Sequence, residues 1–137
     1  MERTLVLIKP DAMQRNLACT ILSRLEDKGL RLTALKMLHL DKATAEIHYA
    51  VHRDKPFFKD LVAYISSAPI VAAVFEGEGA VETARRAMGA TDPAKSEKGT
   101  IRGDFGIDIE HNSIHGSDSP RTAQKEIEIF FNEDEIF

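Results

Sequence analysis

The segment His111-Asn112-Ser113-Ile114-His115-Gly116-Ser117-Asp118-Ser119 concentrates two imidazoles, an amide, several hydroxyls and a carboxylate around one glycine. Such density is expensive to bury, because every polar group then needs a partner. One account is a solvated turn ahead of a helix. The other is a nucleophilic histidine, with Gly116 letting a ligand approach closely. Imidazole is nucleophilic near neutral pH, since its unperturbed pKa is about 6.5.

Other residues with chemical potential are scattered. If Asp41 caps a helix through Val51, then Ala43, Ile47, Ala50 and Val51 cluster on its core side. Tyr49 then falls on the opposite side, next to His52, as a site residue or simply an exposed tyrosine. Phe58 aligns with the inward residues after Pro56, while Phe57 lies at the edge of that face, where core packing is the ordinary role of a phenylalanine. Lys9, Arg85, Arg86 and Arg102 each read, alone, as solvated surface charge.

Several motifs are absent: GxxxxGK followed by Ser or Thr, GxGxxG after a strand, HExxH and GxSxG. Four of the five histidines lack a convincing metal-ligand spacing partner. If the protein handles phosphate, cationic side chains must supply the charge that a glycine-rich cradle would otherwise provide.

The elements that must position these residues follow from hydrophobic pattern. Leu5 to Ile8 is a continuous apolar run, as in a central strand buried on both faces. Asp11, with Gln14 three residues on, has the form of a helix N-cap with its capping-box partner. That helix carries Leu17, Ile21, Leu22 and Leu25 on one side and stops at Gly29. Leu30, Leu32, Ala34, Leu38 and Leu40 share one face of a second strand, interrupted by Lys36. A helix follows Pro56 with Phe58, Leu61, Val62 and Ile65 inward. Pro69 to Phe75 is a third strand and Val81 to Met88 a helix. Gly89 to Ser113 is a long, polar, glycine-containing loop, a length that is usually functional. Ile114 lies in a short last strand, and Ser119-Pro120 opens a final helix with Ala123, Ile127 and Phe131 inward. The order predicts an α+β sandwich, a ferredoxin-like βαββαβ antiparallel sheet with helices on one face, plus added helices. That fold alone leaves function open.

Bulk properties set limits. The 137 residues, 43% hydrophobic and 29% charged, suit a single domain over 1–137 with one real core. A formal charge of −4 argues against a generic nucleic-acid binder, although it does not preclude a local positive pocket. Cys19 is the only cysteine, so an intrachain disulfide is impossible, which fits a reducing compartment. The N-terminal apolar run is too short for a signal-peptide core, and no stretch approaches membrane-spanning length. The expected location is cytoplasmic, with no membrane partner.

Taken together, ERTLVLIKPDA, HYAVHRDKPFF, SSAPIVAAVFEGEGAV, ARRAMGATDPAKSEKGTIRGDFG and NSIHGSDSP resemble the nucleoside diphosphate kinase family in order and spacing, over essentially the whole chain. The pair GATDP…GTIRGDF and NxxHGSDS is highly specific. The resemblance implies transfer of the γ-phosphate of a nucleoside triphosphate to a nucleoside diphosphate, by a ping-pong mechanism through phosphohistidine at His115. It implies that Glu126 orients that imidazole and that Lys9, Tyr49 and Asn112 surround the transferring group. Arg85, Thr91 and Arg102 would hold the phosphates, Phe57 would stack on the base, and Ser117 and Asp118 would support the histidine turn. It also implies Mg²⁺, held mostly by substrate and water and by no protein ligand, broad base specificity, and a homo-oligomer. A hexamer built from dimers is expected, with a tetramer as the alternative. Ile101, Phe105, Ile107 and Ile109 in the long loop supply a physical reason for association, and Pro93 stiffens it.

The chain departs from the family at Ala12, Asn16, Cys19 and Ala68, where glycine is common. A positive φ at any of them would strain alanine or cysteine, asparagine least, and close helix packing is the expected constraint at Cys19. Two rival readings remain. A catalytically inactive nucleotide-binding or regulatory module of the same fold would carry a broken histidine motif, yet the motif is intact. An oligomeric nucleic-acid or regulatory protein is disfavoured by the acidic charge and the lack of paired strand aromatics.

Overall fold

Leu5, Val6, Leu7 and Ile8 are all fully buried in β1 (Glu2–Ile8), the second strand from one edge of a four-stranded sheet. The computed structural model describes residues 1–137. β1 pairs with β3 (Ile70–Gly77) on one side and β4 (Ile114–Gly116) on the other, and β2 (Arg31–Leu38) pairs with β3. The order is β2-β3-β1-β4 and every pairing is antiparallel.

Side chains alternate across a strand, so β1 feeds two cores. Val6 and Ile8 join Val71, Ala73 and Phe75 on one face, under Ile21, Leu22 and Leu25 of α2 (Ala18–Glu26) and Ala84 and Met88 of α5 (Ala80–Met88). Leu5 and Leu7 join Ala72 and Val74 on the other. There Ala45 of α3 (Lys42–His48), Val62 and Ile65 of α4 (Phe58–Ile65), and Ile127 and Phe130 of α7 (Pro120–Phe130) cover them. Both faces are therefore covered, where the ferredoxin-like pattern led us to expect helices on one. The unbroken apolar run of β1 belongs to such a sheet, because each of its side chains meets a core. Full burial of a Leu or Ile contributes roughly 1.5–3 kcal/mol, which makes this strand the anchor of the site described below.

Local differences from the sequence expectation have physical reasons. Asp11 is not an N-cap; it sits in the first turn of α1 (Pro10–Gln14), whose N-cap is Lys9. Its carboxylate is taken by tertiary partners, the hydroxyls of Tyr64 and Ser113. The expected single helix breaks at Asn16, which adopts φ 57°, before α2 begins. Asparagine tolerates this left-handed region. Ala12, Cys19 and Ala68 have no positive φ, and Cys19 is exposed, so no close packing acts on it within the chain.

In β2 the register shifts between Leu32 and Ala34, leaving Thr33 as the extra residue of a bulge. Leu30 and Leu32 consequently pack with the first core, and Ala34, Leu38 and Leu40 with the second, rather than on one shared face. Asp41 does cap α3, accepting from Thr44 N–H at 2.7 Å, but the α-helix ends at His48 and a 3-10 turn spans Ala50–His52. The inward residues are Ala45, His48 and Tyr49, while Ile47 and Val51 are exposed. The expected orientation is thus inverted, because it rested on an unbroken helix to Val51 and on apolar type alone. The 89–113 loop contains a 3-10 turn at Pro93–Lys95 and α6 (Ile101–Phe105). Ile101 is fully buried in the chain's own core and Phe105 packs against it, leaving only Ile107 and Ile109 of that apolar set exposed.

Candidate active site

The β1–β4 pairing sets Leu7 directly opposite His115. Antiparallel partners share a face, so His115 points the way Leu7 does, toward α3 and α7. Helix α7 begins with Ser119, whose hydroxyl accepts from Thr122 N–H at 3.1 Å, and with Pro120 at its first position. Its inward residues Ala123, Ile127 and Phe130 recur at helical spacing, and Glu126 lies on the same side. The Glu126 carboxylate meets Nε2 of His115 with both oxygens, at 3.2 and 3.1 Å. The Ser117 hydroxyl donates to Oε1 of Glu126 at 2.6 Å. Burial tends to raise the Glu126 pKa, but the hydrogen bond and charge of His115 together with the Ser117 hydroxyl outweigh it and hold the carboxyl below its ordinary value. Nδ1 of His115 has no protein partner, and the side chain is 22% exposed.

The cations come from three other elements. Lys9 follows β1, and its backbone N–H donates to Ser113 O at 2.9 Å. Its Nζ donates to Asn112 Oδ1 at 2.9 Å, and Nδ2 of Asn112 donates to Thr91 O at 2.9 Å, tying lysine, amide and loop together. Burial, followed by the nearby charge of Arg102, lowers the Lys9 pKa to about 8. Arg102 on α6 is buried, donating to Gly89 O at 3.1 Å and Ile114 O at 2.8 Å, so it braces the end of α5 against β4. Burial and the charge of Arg85 lower it to about 10. Arg85 itself is exposed on α5. Tyr49 is buried, not turned away from the core, and burial with the Glu126 charge pushes its phenol up, so it remains a neutral hydroxyl. Phe57 is 45% exposed and leans on His52 with ring centroids 5.5 Å apart, so it is not a core residue.

These groups line one pocket of about 820 Å³. Of the residues singled out from the sequence, Lys9, Tyr49, Phe57, Arg85, Thr91, Arg102, Asn112, His115, Asp118 and Glu126 line it. Ser117 lies behind Glu126, buried. A pocket with two buried cations beside an imidazole, in a chain of net charge −4, is equipped to receive phosphate and stabilise its transfer.

Gly116 has a packing role beyond the expected one. A Cβ there would overlap the Met88 sulfur, so the glycine lets β4 pack on α5, and the residue also lines the site pocket. Sequence reasoning also missed a network beneath the site. Ser113, fully buried at φ 75°, donates to Asp11 Oδ2 at 2.8 Å, and Tyr64 donates to Asp11 Oδ1 at 2.6 Å. A non-glycine residue at positive φ is costly and persists only when its surroundings over-determine it; here the network holds the loop entering β4. His48 was missed as well, because nothing in its local sequence distinguishes it from an ordinary helix-end histidine.

Comparison with known proteins agrees with this architecture. The family model described as "Nucleoside diphosphate kinase" matches residues 2–136. The nucleoside diphosphate kinase of Dehalococcoides mccartyi strain 195 is 62% identical over 136 residues, covering 99% of this chain and 96% of that protein. That of Thermoplasma acidophilum is 60% identical over 135 residues, covering 98% and 91%. The crystal structure of the Aquifex aeolicus nucleoside diphosphate kinase superposes with a TM-score of 0.97 at 45% identity, covering 99% of each chain. A Halobacterium salinarum nucleoside diphosphate kinase in complex with CDP superposes at 0.96 with 48% identity, covering 99% of this chain and 91% of that one. The chain belongs to the nucleoside diphosphate kinase family, phosphotransferases that move the terminal phosphoryl group of a nucleoside triphosphate to a nucleoside diphosphate.

Proposed function

We propose that phosphoryl transfer in this chain passes through a covalent intermediate on Nδ1 of His115, in two half-reactions. The observation that carries the proposal is the two-oxygen contact of Glu126 with Nε2, which leaves Nδ1 without a protein partner. A carboxylate accepting from Nε2–H selects the tautomer in which Nδ1 keeps its lone pair. Nδ1 attacks the terminal phosphorus, the bond from phosphorus to the bridging oxygen breaks, and the nucleoside diphosphate leaves with that electron pair. The imidazole gains positive character, which the Glu126 anion stabilises. The acceptor diphosphate then attacks the phosphohistidine, returning the electron pair to Nδ1.

Lys9 is the cation nearest the reacting group in this scheme, held by Asn112, with the Tyr49 hydroxyl as a neutral donor beside it. Arg102, Arg85 and Thr91 hold the remaining phosphates. Arg102 acts chiefly by charge, since two of its N–H groups already serve backbone carbonyls. Phosphoryl transfer is mainly positioning and charge stabilisation, so this equipment suits it. Phe57 offers the base a π-face without a base-edge reader, which supports broad base specificity.

Enzymes of this family work with a divalent cation on the nucleotide, and Mg²⁺ is the proposed ion. The donor set fits: Asp60, Glu110 and Asp118 line the pocket with carboxylates that make no side-chain hydrogen bond to the rest of the chain. Hard oxygen donors suit a cation that arrives on phosphates and keeps its waters. When bound, the ion neutralises charge on the phosphates. Cytoplasmic location is part of the proposal; no helix is long and apolar enough to cross a membrane.

The test is labelling with γ-labelled ATP, followed by removal of nucleotide. Acid-labile label is expected on the native chain and none on His115→Asn, with parallel double-reciprocal plots for donor and acceptor. Intersecting plots, or an active His115→Ala, would overturn the covalent route.

A further inference from the structure

His48 is an anomaly at the back of the site. Its side chain is 0% exposed, yet neither ring nitrogen makes a hydrogen bond. A buried polar group without a partner is unfavourable and calls for an explanation. The ring stands edge-on to His115, with centroids 4.7 Å apart and planes at 81°. Tyr49 and Phe130 close its other sides at 4.6 and 5.4 Å. Nδ1 of His48 lies 3.7 Å from Oε2 of Glu126, just beyond hydrogen-bond reach.

The accounting at Glu126 shows what is missing. Oε1 accepts from both Ser117 and His115, while Oε2 accepts only from His115. A carboxylate oxygen has room for two donors. One lone pair of Oε2 is therefore free, and the nearest unpaired donor is His48 Nδ1. Closing the gap needs a movement of under about 1 Å.

We propose that His48 is a positioning residue for phosphoryl transfer: its ring walls the His115 imidazole, and its Nδ1–H closes on Oε2 of Glu126 as positive charge develops on His115. The proposal rests on His115 being the nucleophile. A second donor on Oε2 keeps the carboxylate ionised and oriented, so the Nε2 proton stays on His115 while Nδ1 reacts. The groups facing His48 are His115 on β4, Glu126 on α7, Lys9 after β1 and His52 in the 3-10 turn. Burial, with the charge of His115 next, lowers its pKa to about 3, so the ring stays neutral and brings no second cation beside the phosphoryl group.

The experiment is rapid-quench phosphorylation by γ-labelled ATP in a single turnover, on the full chain and on His48→Phe, His48→Gln and His48→Ala. His48→Phe keeps the ring wall and removes the N–H. Its phosphorylation rate should fall at least about tenfold with nucleotide affinity unchanged within about twofold, the signature of an interaction strengthened in the transition state. Its acid limb should move to higher pH, because Glu126 has lost a donor to its charged form. His48→Ala should lose about 100-fold, the order expected when a reacting group is misplaced. His48→Gln, which retains an N–H, should recover part of that loss. A His48→Phe chain with native rate and native acid limb overturns the proposal, as does a loss seen only in nucleotide affinity or melting temperature. Nitrogen-15 NMR of the native ring is independent of whether the variants fold. A neutral Nδ1–H tautomer from pH 5.5 to 8 supports the proposal, and an Nε2–H tautomer overturns it. If the native chain takes no label at His115, the nucleophile assignment fails first; normal labelling with an unaffected His48→Phe removes only the role of His48.

Discussion

Lys9 carries a charge that depends on pH within the working range of a kinase. Its folded pKa of about 8 lies below the ordinary 10.5, so the folded chain loses this proton first. Burying the cation therefore costs stability below pH 8, and that cost fades as pH rises toward 10.5. Function moves the other way, because above pH 8 the empty pocket loses one of its two buried cations. We expect kcat/KM to fall on an alkaline limb near pH 8, while kcat, read with phosphates bound, falls at higher pH. A Lys9→Gln chain showing the same limb would assign it elsewhere. His48, held neutral down to about pH 3, works in the acid range. Below pH 6.5 the unfolded chain binds a proton that the folded chain refuses, so stability falls with pH. Between pH 7 and 5 this amounts to about 2 kcal/mol, at about 1.4 kcal/mol per unit. Denaturant melts of the native chain and His48→Phe at the two pH values should differ by that much; equal pH dependence would contradict it. At Glu126, removal of charge with retention of shape tests the orienting role. Glu126→Gln should lower kcat by up to about 10⁴-fold, the loss known where an amide replaces the carboxylate that fixes the tautomer of a catalytic histidine. Rapid-quench labelling of His115 at the native rate would remove Glu126 from the mechanism.

At the scale of elements, short contacts decide whether these residues meet. β4 has three residues, and its seat against α5 depends on Gly116 having no side chain facing Met88. Gly116→Ala should cost about 1–3 kcal/mol, the usual penalty of overpacking, and should lower activity because His115 moves with the strand. A thermal melt together with kcat measures both effects. Ser119→Ala removes the cap of α7 and should cost about 1 kcal/mol; a kcat near the native value would show that Glu126 is held by α7's packing rather than by its first turn. Most elements were legible because periodicity and punctuation agree: the apolar run of β1, Asp41 before α3, Ser119-Pro120 before α7. The bulge at Thr33 was not legible, since an extra residue leaves the apolar pattern of 30–40 looking continuous. The face of α3 was misread because Ile47 and Val51 suggest burial by type, whereas His48 and Tyr49 are buried by what they face.

For the whole molecule, the edge strand β2 presents Leu35 and Met37 at 52% and 67% exposure. An exposed edge bearing large apolar side chains invites pairing with another chain. This patch supports the proposed homo-oligomer better than the long loop does, since Ile101 and Phe105 are already packed within the chain. We expect light scattering to give a hexameric mass, with four chains as the alternative. Leu35→Lys with Met37→Lys should shift the mass toward smaller species before His115 labelling is affected. A monomeric native chain with full activity would refute the assembly.

The sequence by itself determined the chemistry and most of the elements. A histidine followed by Gly-Ser-Asp, with lysine, arginines, asparagine and glutamate at family spacing, identifies the reaction, because residue type and order are carried in the chain itself. Only the tertiary structure decided which of those residues share a pocket, that Tyr49 faces inward, that Gly116 answers to Met88, and that Asp11 binds Tyr64 and Ser113 rather than a helix end. It alone brought His48 beside His115, because contacts between residues 67 apart in sequence depend on how β4 and α3 pack on a common sheet, and no local pattern records that.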